Sequence, residues 1–277
     1  MSEHSYIFSL EELGYAFAVH QGEDMAAGLM KAYYGDLSED RWELLFQAAT
    51  HSLMSKGFIE SMDEENGEVR FTSEITQMIQ HLLRSHYMLR GITDRNSNKV
   101  LTIHELQQRY LYHLSVNHTL HFLSWTEPAD WEEELVRFFG MEPSKAEGTT
   151  LSESKVVIHE ELWNRLTAGE SPASPLYEEL SPGQQQLIAN WQQDFQANAR
   201  TMDNLSTIRI GSGNQTAIED ILFVLPASEG VWIVRNQESD RNAEPRICIE
   251  LQSFSACRKT FGSFAGALAV PQTIPER

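Results

Sequence analysis

Five side-chain groupings in this chain have types and spacings that invite a chemical reading. Gly211-Ser212-Gly213 follows the apolar run LSTIRI, where a phosphate-cradling loop would stand. Such a loop needs a further glycine and a helix whose N-terminus meets the phosphate, yet only a few residues separate it from the strand at Ile221. The segment therefore reads as a flexible turn. His113, His118 and His121 carry metal-binding rings, but on a continuous strand positions 118 and 121 point to opposite faces and do not meet on one ion. His104-Glu105 and His159-Glu160 each lack the second histidine, one helical turn on, of a zinc protease. These histidines read as surface or partly buried side chains on sheet faces. Cys257 stands at the start of an apolar helix beside Arg258 and Lys259, with no base indicated, and reads as a small buried hydrophobe. Asp63, Glu64 and Glu65 form a solvated charge run in a turn rather than a catalytic dyad. The sequence thus assigns no catalytic, cofactor-binding or metal-binding residue, no cofactor and no partner-binding position, and the expectation is a protein that is not an enzyme.

Composition narrows the partners. Forty acidic residues against twenty-one basic ones give a formal charge of -19 over 277 residues. Phosphate backbones and anionic lipid repel such a chain, so neither nucleic acid nor a membrane surface is an expected partner. Two cysteines, Cys248 and Cys257, are too few for a disulfide framework or a structural zinc site and fit a reducing cytoplasm. No stretch approaches the run of about 20 apolar residues that spans a bilayer, and the N-terminus shows no export signal.

The elements that would carry any site follow from periodicity and capping. Ser9 caps a helix beginning LEELGYAFAV, and EDMAAGLMKAYY follows the Gly22 break. In LSEDRWELLFQAATHSLMSKGFIE, Trp42, Leu45, Phe46, Ala49 and Leu53 recur at helical spacing and Gly57 supplies a C-cap. FIE and VRF flank Asn66-Gly67, a hairpin signal, and SEITQMIQHLLR continues as helix, so this part has a winged-helix-like outline. Its wing, SMDEENGE, carries the wrong charge to read DNA. Then the period becomes two. Tyr110, Tyr112, Leu114 and Val116 alternate with Arg109, His113 and Ser115, as in a strand with one buried and one wet face. HYMLRGIT, KVLTIH and HTLHFLSW supply neighbours for a sheet of about four strands. Asp130 to Glu133 reads as a capping box for a helix with Trp131, Leu135 and Phe139 on one stripe.

The second half repeats the plan. KVVIHEELWNRLTAG reads as a helix ending in Gly169, and Ser181, Pro182 and Gln184 start another, lined by Leu187, Trp191, Phe195 and Ala199. LSTIRIGSG, EDILFVLP, VWIVRN and PRICIELQSF return as strands, with Ile247, Ile249 and Leu251 alternating with Arg246, Cys248 and Glu250, before a last helix bearing Phe261, Phe264, Ala265 and Leu268. The expected fold class is α+β, with two pseudo-repeated halves, residues 1–142 and 143–277, each a small antiparallel sheet flanked by helices. The polar stretch EPSKAEGTTLSES marks the boundary, inside one compact pseudo-twofold domain.

This order of elements resembles the EspG family of type VII (ESX) secretion chaperones. The stretch LSEDRWELLFQAATHSLMSKGFIE carries most of the likeness, being similar to that family's N-terminal segment, with Gly57-Phe58-Ile59 at the turn before the first sheet. The resemblance implies a cytosolic, non-enzymatic chaperone or adaptor that binds secreted helical-hairpin proteins. The residues alone leave two alternatives: a winged-helix transcriptional regulator with a ligand-sensing sheet domain, or an enzyme whose site is assembled from scattered positions.

Overall fold

The computed structural model describes residues 5–63, 68–93, 98–141, 154–170, 174–211, 216–237 and 245–269. The chain divides into two compact units: Met1–Arg90 with Asp94–Glu127 and Arg209–Ala217, and Gly91–Thr93 with Pro128–Ile208 and Ile218–Arg277.

In the first unit, strand β1 (Tyr6–Ser9) runs directly into helix α1 (Leu10–Val19) because Ser9 both ends the strand and caps the helix. Its hydroxyl accepts from the Glu12 N–H at 3.2 Å, while the Glu12 carboxylate accepts from the Ser9 N–H at 2.6 Å. Helices α2 (Glu23–Tyr34) and α3 (Glu39–Ser55) follow, and α3 stops at Gly57, whose φ of 72° takes the left-handed cap conformation. The hairpin of β2 (Ile59–Met62) and β3 (Val69–Phe71) leads into α4 (Ser73–Arg84), as its sequence pattern predicts. Its Asn66-Gly67 turn lies outside the described residues.

Strands β4 (Tyr87–Thr93), β5 (Lys99–Leu106), β6 (Arg109–Val116) and β7 (Leu120–Thr126) form a meander, and β1 returns to pair antiparallel with β7, Phe8 opposite His121. The order is β1-β7-β6-β5-β4. Leu13, Ala16 and Phe17 of α1 and Ile75, Met78, Ile79 and Leu82 of α4 close one face of this sheet over Phe8, Leu111 and Leu123.

The second unit repeats the plan with different side chains. Strand β8 (Ser154–His159) leads straight into α6 (Glu160–Ala168), followed by α7 (Pro175–Glu178) and α8 (Pro182–Ala197). Strands β9 (Asp203–Ile210), β10 (Thr216–Pro226), β11 (Val231–Gln237) and β12 (Arg246–Gln252) then precede α9 (Phe254–Ala269), in the order β9-β10-β11-β12-β8. β8 pairs antiparallel with β12 as β1 pairs with β7. Gly169 in the left-handed conformation ends α6, and the Ser181–Gln184 capping box with Pro182 starts α8, both as their residue types dictate. Trp191, Ile188 and Leu162 on the helices meet Trp232, Val234 and Ile249 on the sheet. Helix α5 (Trp131–Phe138) follows β7 as α9 follows β12, and it packs on α9 within this unit, where Arg258 pairs with Glu132 at 3.0 Å and Phe139 meets Phe261 at 5.2 Å.

The α+β class with antiparallel sheets stands; the strand order of the two rows matches, while hairpin β2–β3 and α4 have no counterpart among the described residues of the second unit. Three local expectations are corrected. Residues 154–159 of the KVVIH segment are a strand, not the start of a helix, and residues 6–9 are a strand as well, so each row has five strands rather than about four. Both are short edge strands fused to a helix start, so neither shows a two-residue period of useful length. Asp130 makes no capping bond, because its backbone is already helical (φ -92°, ψ -17°), and Glu133 ion-pairs with Arg137 at 2.8 Å instead. The alternation of β12 is only partial, since Cys248 is buried along with Ile247 and Ile249. The segment 142–153 that marks the sequence boundary lies outside the described residues.

Candidate functional site: a buried histidine row and an open apolar surface

Leu111 belongs to the helix-covered core, so strand alternation puts His113 and Ser115 on the covered face of β6 with it and turns Tyr110, Tyr112, Leu114 and Val116 to the far face. The sequence pattern favours the opposite assignment, because the far face is the more apolar of the two.

The consequence is a row of histidines across three strands. Ser85 Oγ lies 2.9 Å from His104 Nδ1, Thr102 Oγ1 lies 2.9 Å from His104 Nε2 and 3.4 Å from His113 Nδ1, and His113 Nε2 lies 2.9 Å from His121 Nδ1. The register explains the contacts: His113 stands directly opposite Thr102 and Leu123, which leaves His104 and His121 as its diagonal neighbours. The single-strand argument about His118 and His121 does not apply, since His118 sits exposed in the β6–β7 turn at φ 60° and not on the strand. It misses the pairing of histidines between strands.

A neutral imidazole offers one N–H and one bare nitrogen, so the chain of bonds runs head to tail in one of two senses. In either sense it ends on His121 Nε2, a buried atom without a hydrogen-bond partner. The sense that leaves this nitrogen bare strands an acceptor rather than a donor, the less costly orphan. Burial drives the whole row toward neutrality. His104 is lowered to about 3 by burial and by His81, and His121 to about 4 by burial and His118, against an opposing pull from Glu11. His113 falls well below its ordinary value through burial and its two histidine neighbours.

Ser85 and His104 have the spacing of a nucleophile and its base, with Thr102 as the orienting third group. Both are buried, and a base held near 3 takes no proton from a serine at neutral pH. The row is a structural polar network that titrates only with acid. Cys257 is equally inert: buried, 3.7 Å from the Met141 sulfur, with burial pushing its thiol up to about 12. Among the described residues, no three His, Cys, Asp or Glu side chains converge on a point that could hold a metal ion.

What the molecule offers to a partner lies on its surface. Ile7, Met25, Tyr33, Tyr34, Leu44, Met54, Met62 and Leu120 of the first unit are exposed large apolar side chains, against Ile218 in the second. Ile7, Phe122 and Leu114 stand opposite one another across β1, β7 and β6 on the far face of the sheet, with Leu120 and Val116 beside them, and Ile7 and Leu120 are each 45% exposed. Helices α2 and α3 carry another group. Tyr33 and Tyr34 pack edge to face, Tyr34 donates to the Glu11 carboxylate, and Leu44 is 66% exposed. The second unit has a cavity of about 880 Å³ at the ends of β10 to β12 and β8, lined by Lys155, Asp220, Arg235 and Cys248 among others. The Gly211–Gly213 loop falls largely outside the described residues. No described helix is long and apolar enough to cross a membrane.

These features meet two kinds of relative. Among solved structures, the Mycobacterium tuberculosis type VII secretion system chaperone EspG5, in complex with a PE25-PPE41 dimer, superposes with a TM-score of 0.60 over 95% of each chain at 10% identity. The fold expected from the sequence resemblance is therefore the fold observed. Among sequences, "Uncharacterized protein YfjC" of Bacillus subtilis (strain 168) is 20% identical over 238 residues, 83% of this chain and 89% of that protein. The pattern of the family described as "Uncharacterised protein YfjC" matches residues 6–248, and on that extent the chain belongs to the YfjC family.

Proposed function

We propose that this protein is a non-enzymatic cytoplasmic chaperone or adaptor that binds helical-hairpin substrates of a type VII secretion system and keeps them soluble and competent for export. The observation that carries the reading is the fold shared with EspG5 over 95% of both chains, in a structure where that chaperone holds a PE25-PPE41 dimer. The open apolar positions of the first unit add physical support. A protein that shields amphipathic helices needs apolar surface of its own ringed by polar groups, and a charge of -19 keeps such a surface from self-association. The test is purification of the tagged chain from its own host with mass spectrometry of what accompanies it. A small helical secreted protein is the expected companion, in stoichiometric amount. A chain that returns alone under conditions that preserve weak complexes removes the reading.

A further inference from the structure

Helix α2 gives little of its length to the core. Of its twelve residues only Ala26 and Met30 are buried, and no side chain caps its N-terminus at Gly22. Gly28 sits in its middle, where a Cβ would meet nothing within 4 Å, so no packing demand explains a residue that costs a helix about 1 kcal/mol. Twelve residues are few for a helix in water, and Ala26, Met30 and the half-buried Leu29 are what hold this one to the core. Yet α2 and the first half of α3 present Met25, Tyr33, Tyr34 and Leu44 to solvent, side chains that adapt to or anchor an apolar partner at low entropic cost. Around them stand Glu23, Asp24, Asp36, Glu39, Asp40 and Glu43, all exposed, against Lys31 and Arg41. Lys31 is already engaged by Asp36 at 2.7 Å.

Resting on the chaperone reading, we propose that α2 and the first half of α3 are the surface on which cargo docks, and that the occupant is an amphipathic helix whose apolar stripe is flanked by lysine or arginine. Charge selects it. An acidic helix, anionic lipid and a second copy of this chain all meet repulsion from the same six carboxylates, whereas a basic-flanked helix is attracted by them and can cover the exposed Met25, Tyr33 and Leu44 side chains. Docking would also cover the α2 side chains that the core leaves exposed.

The experiment uses the purified full chain and a synthetic leucine/lysine amphipathic helix, with a scrambled peptide of the same composition and a leucine/glutamate helix as controls. Binding is followed by calorimetry and by hydrogen exchange. The expected result is selective binding of the leucine/lysine helix, with slowed exchange in residues 23–46. Leu44→Ser and Tyr33→Ser, both at exposed positions, should each weaken it by about tenfold, the loss of one central apolar anchor. Glu39→Lys combined with Glu43→Lys should shift preference toward the leucine/glutamate helix. Equal binding of the scrambled peptide, protection elsewhere in the chain, or variants that bind like the wild type each overturn the proposal. Running Leu44→Ser through the host purification separates the two claims. Cargo retained equally by variant and wild type overturns this surface and leaves the chaperone reading intact, while selective peptide binding with no cargo from the host supports the surface and removes that reading.

Discussion

The two units have the same strand order, with the first strand returning to pair with the last, and both pack an apolar core between sheet and helices, yet they differ in what else that layer holds. The second unit uses Trp191, Trp232, Phe195, Ile188 and Leu162, with the Trp191 and Phe195 rings stacked at 4.9 Å. The first unit admits His81, His104, His113 and His121 beneath α1 and α4 and leaves apolar side chains outside. A shared topology needs only enough apolar contact in register. The first unit thus combines a comparable apolar core with a polar row inside it, and it carries most of the large exposed apolar side chains among the described residues, which is where a binding protein uses them.

Acid should break this comparison most strongly. His104 and His121 have folded pKa values lowered to about 3 and about 4, against an ordinary 6.5. The unfolded chain therefore takes up more protons as pH falls below 6.5, so the stability present above that value drains away on acidification toward the folded pKa values. The groups facing the row argue the same way or oppose only weakly. His81 on α4 is itself lowered by burial and by Arg109 against a pull from Glu105, and His118 repels a charge on His121 that Glu11 on α1 and the His118 backbone favour. Between pH 7 and pH 5 the two histidines together should cost about 4 kcal/mol, and His113 adds to that. Hydrogen exchange should show protection of α1 and α4 falling before that of α6 and α8. Equal loss in both units would remove the distinction.

The counterpart in the second unit is Trp191→Ala. It deletes the largest side chain of an aromatic core and should lower unfolding free energy by about 3–5 kcal/mol in a denaturant titration, with little change in pH dependence. A smaller effect is expected at the join between β1 and α3. Glu12 is buried and takes a 2.7 Å bond from Lys56 Nζ, which also donates to the Ile7 carbonyl at 3.0 Å. Lys56→Ala strands that carboxylate and should cost about 1–3 kcal/mol, the Lys56 amine being partly exposed. A loss within experimental error would mean that water replaces the ammonium without penalty.

Local signals carried much of this fold. The capping boxes at Ser9 and Ser181, the left-handed glycines at 57 and 169, and the meander from Tyr87 to Thr126 are written in residues a few positions apart. What escaped depends on partners far along the chain. β1 is too short to show a period and becomes a strand by pairing with Leu120–Leu123. The covered face of β6 does not follow from its pattern, because Tyr110, Tyr112, Leu114 and Val116 outweigh Leu111, His113 and Ser115 in hydrophobicity, while the choice is made by where α1 and α4 lie. The histidine row needs three strands in register before it exists. The α2 surface is legible in the sequence only as a helix after the Gly22 break, since how little of it is covered is a tertiary fact.

The most direct test of the account is the soluble yield of the helical protein recovered from the host, expressed with and without this chain and followed by size-exclusion chromatography. The account predicts that the cargo aggregates alone and elutes with this chain as a soluble complex of fixed stoichiometry. Cargo that is equally soluble alone, and that elutes apart from this chain when both are present, would contradict it.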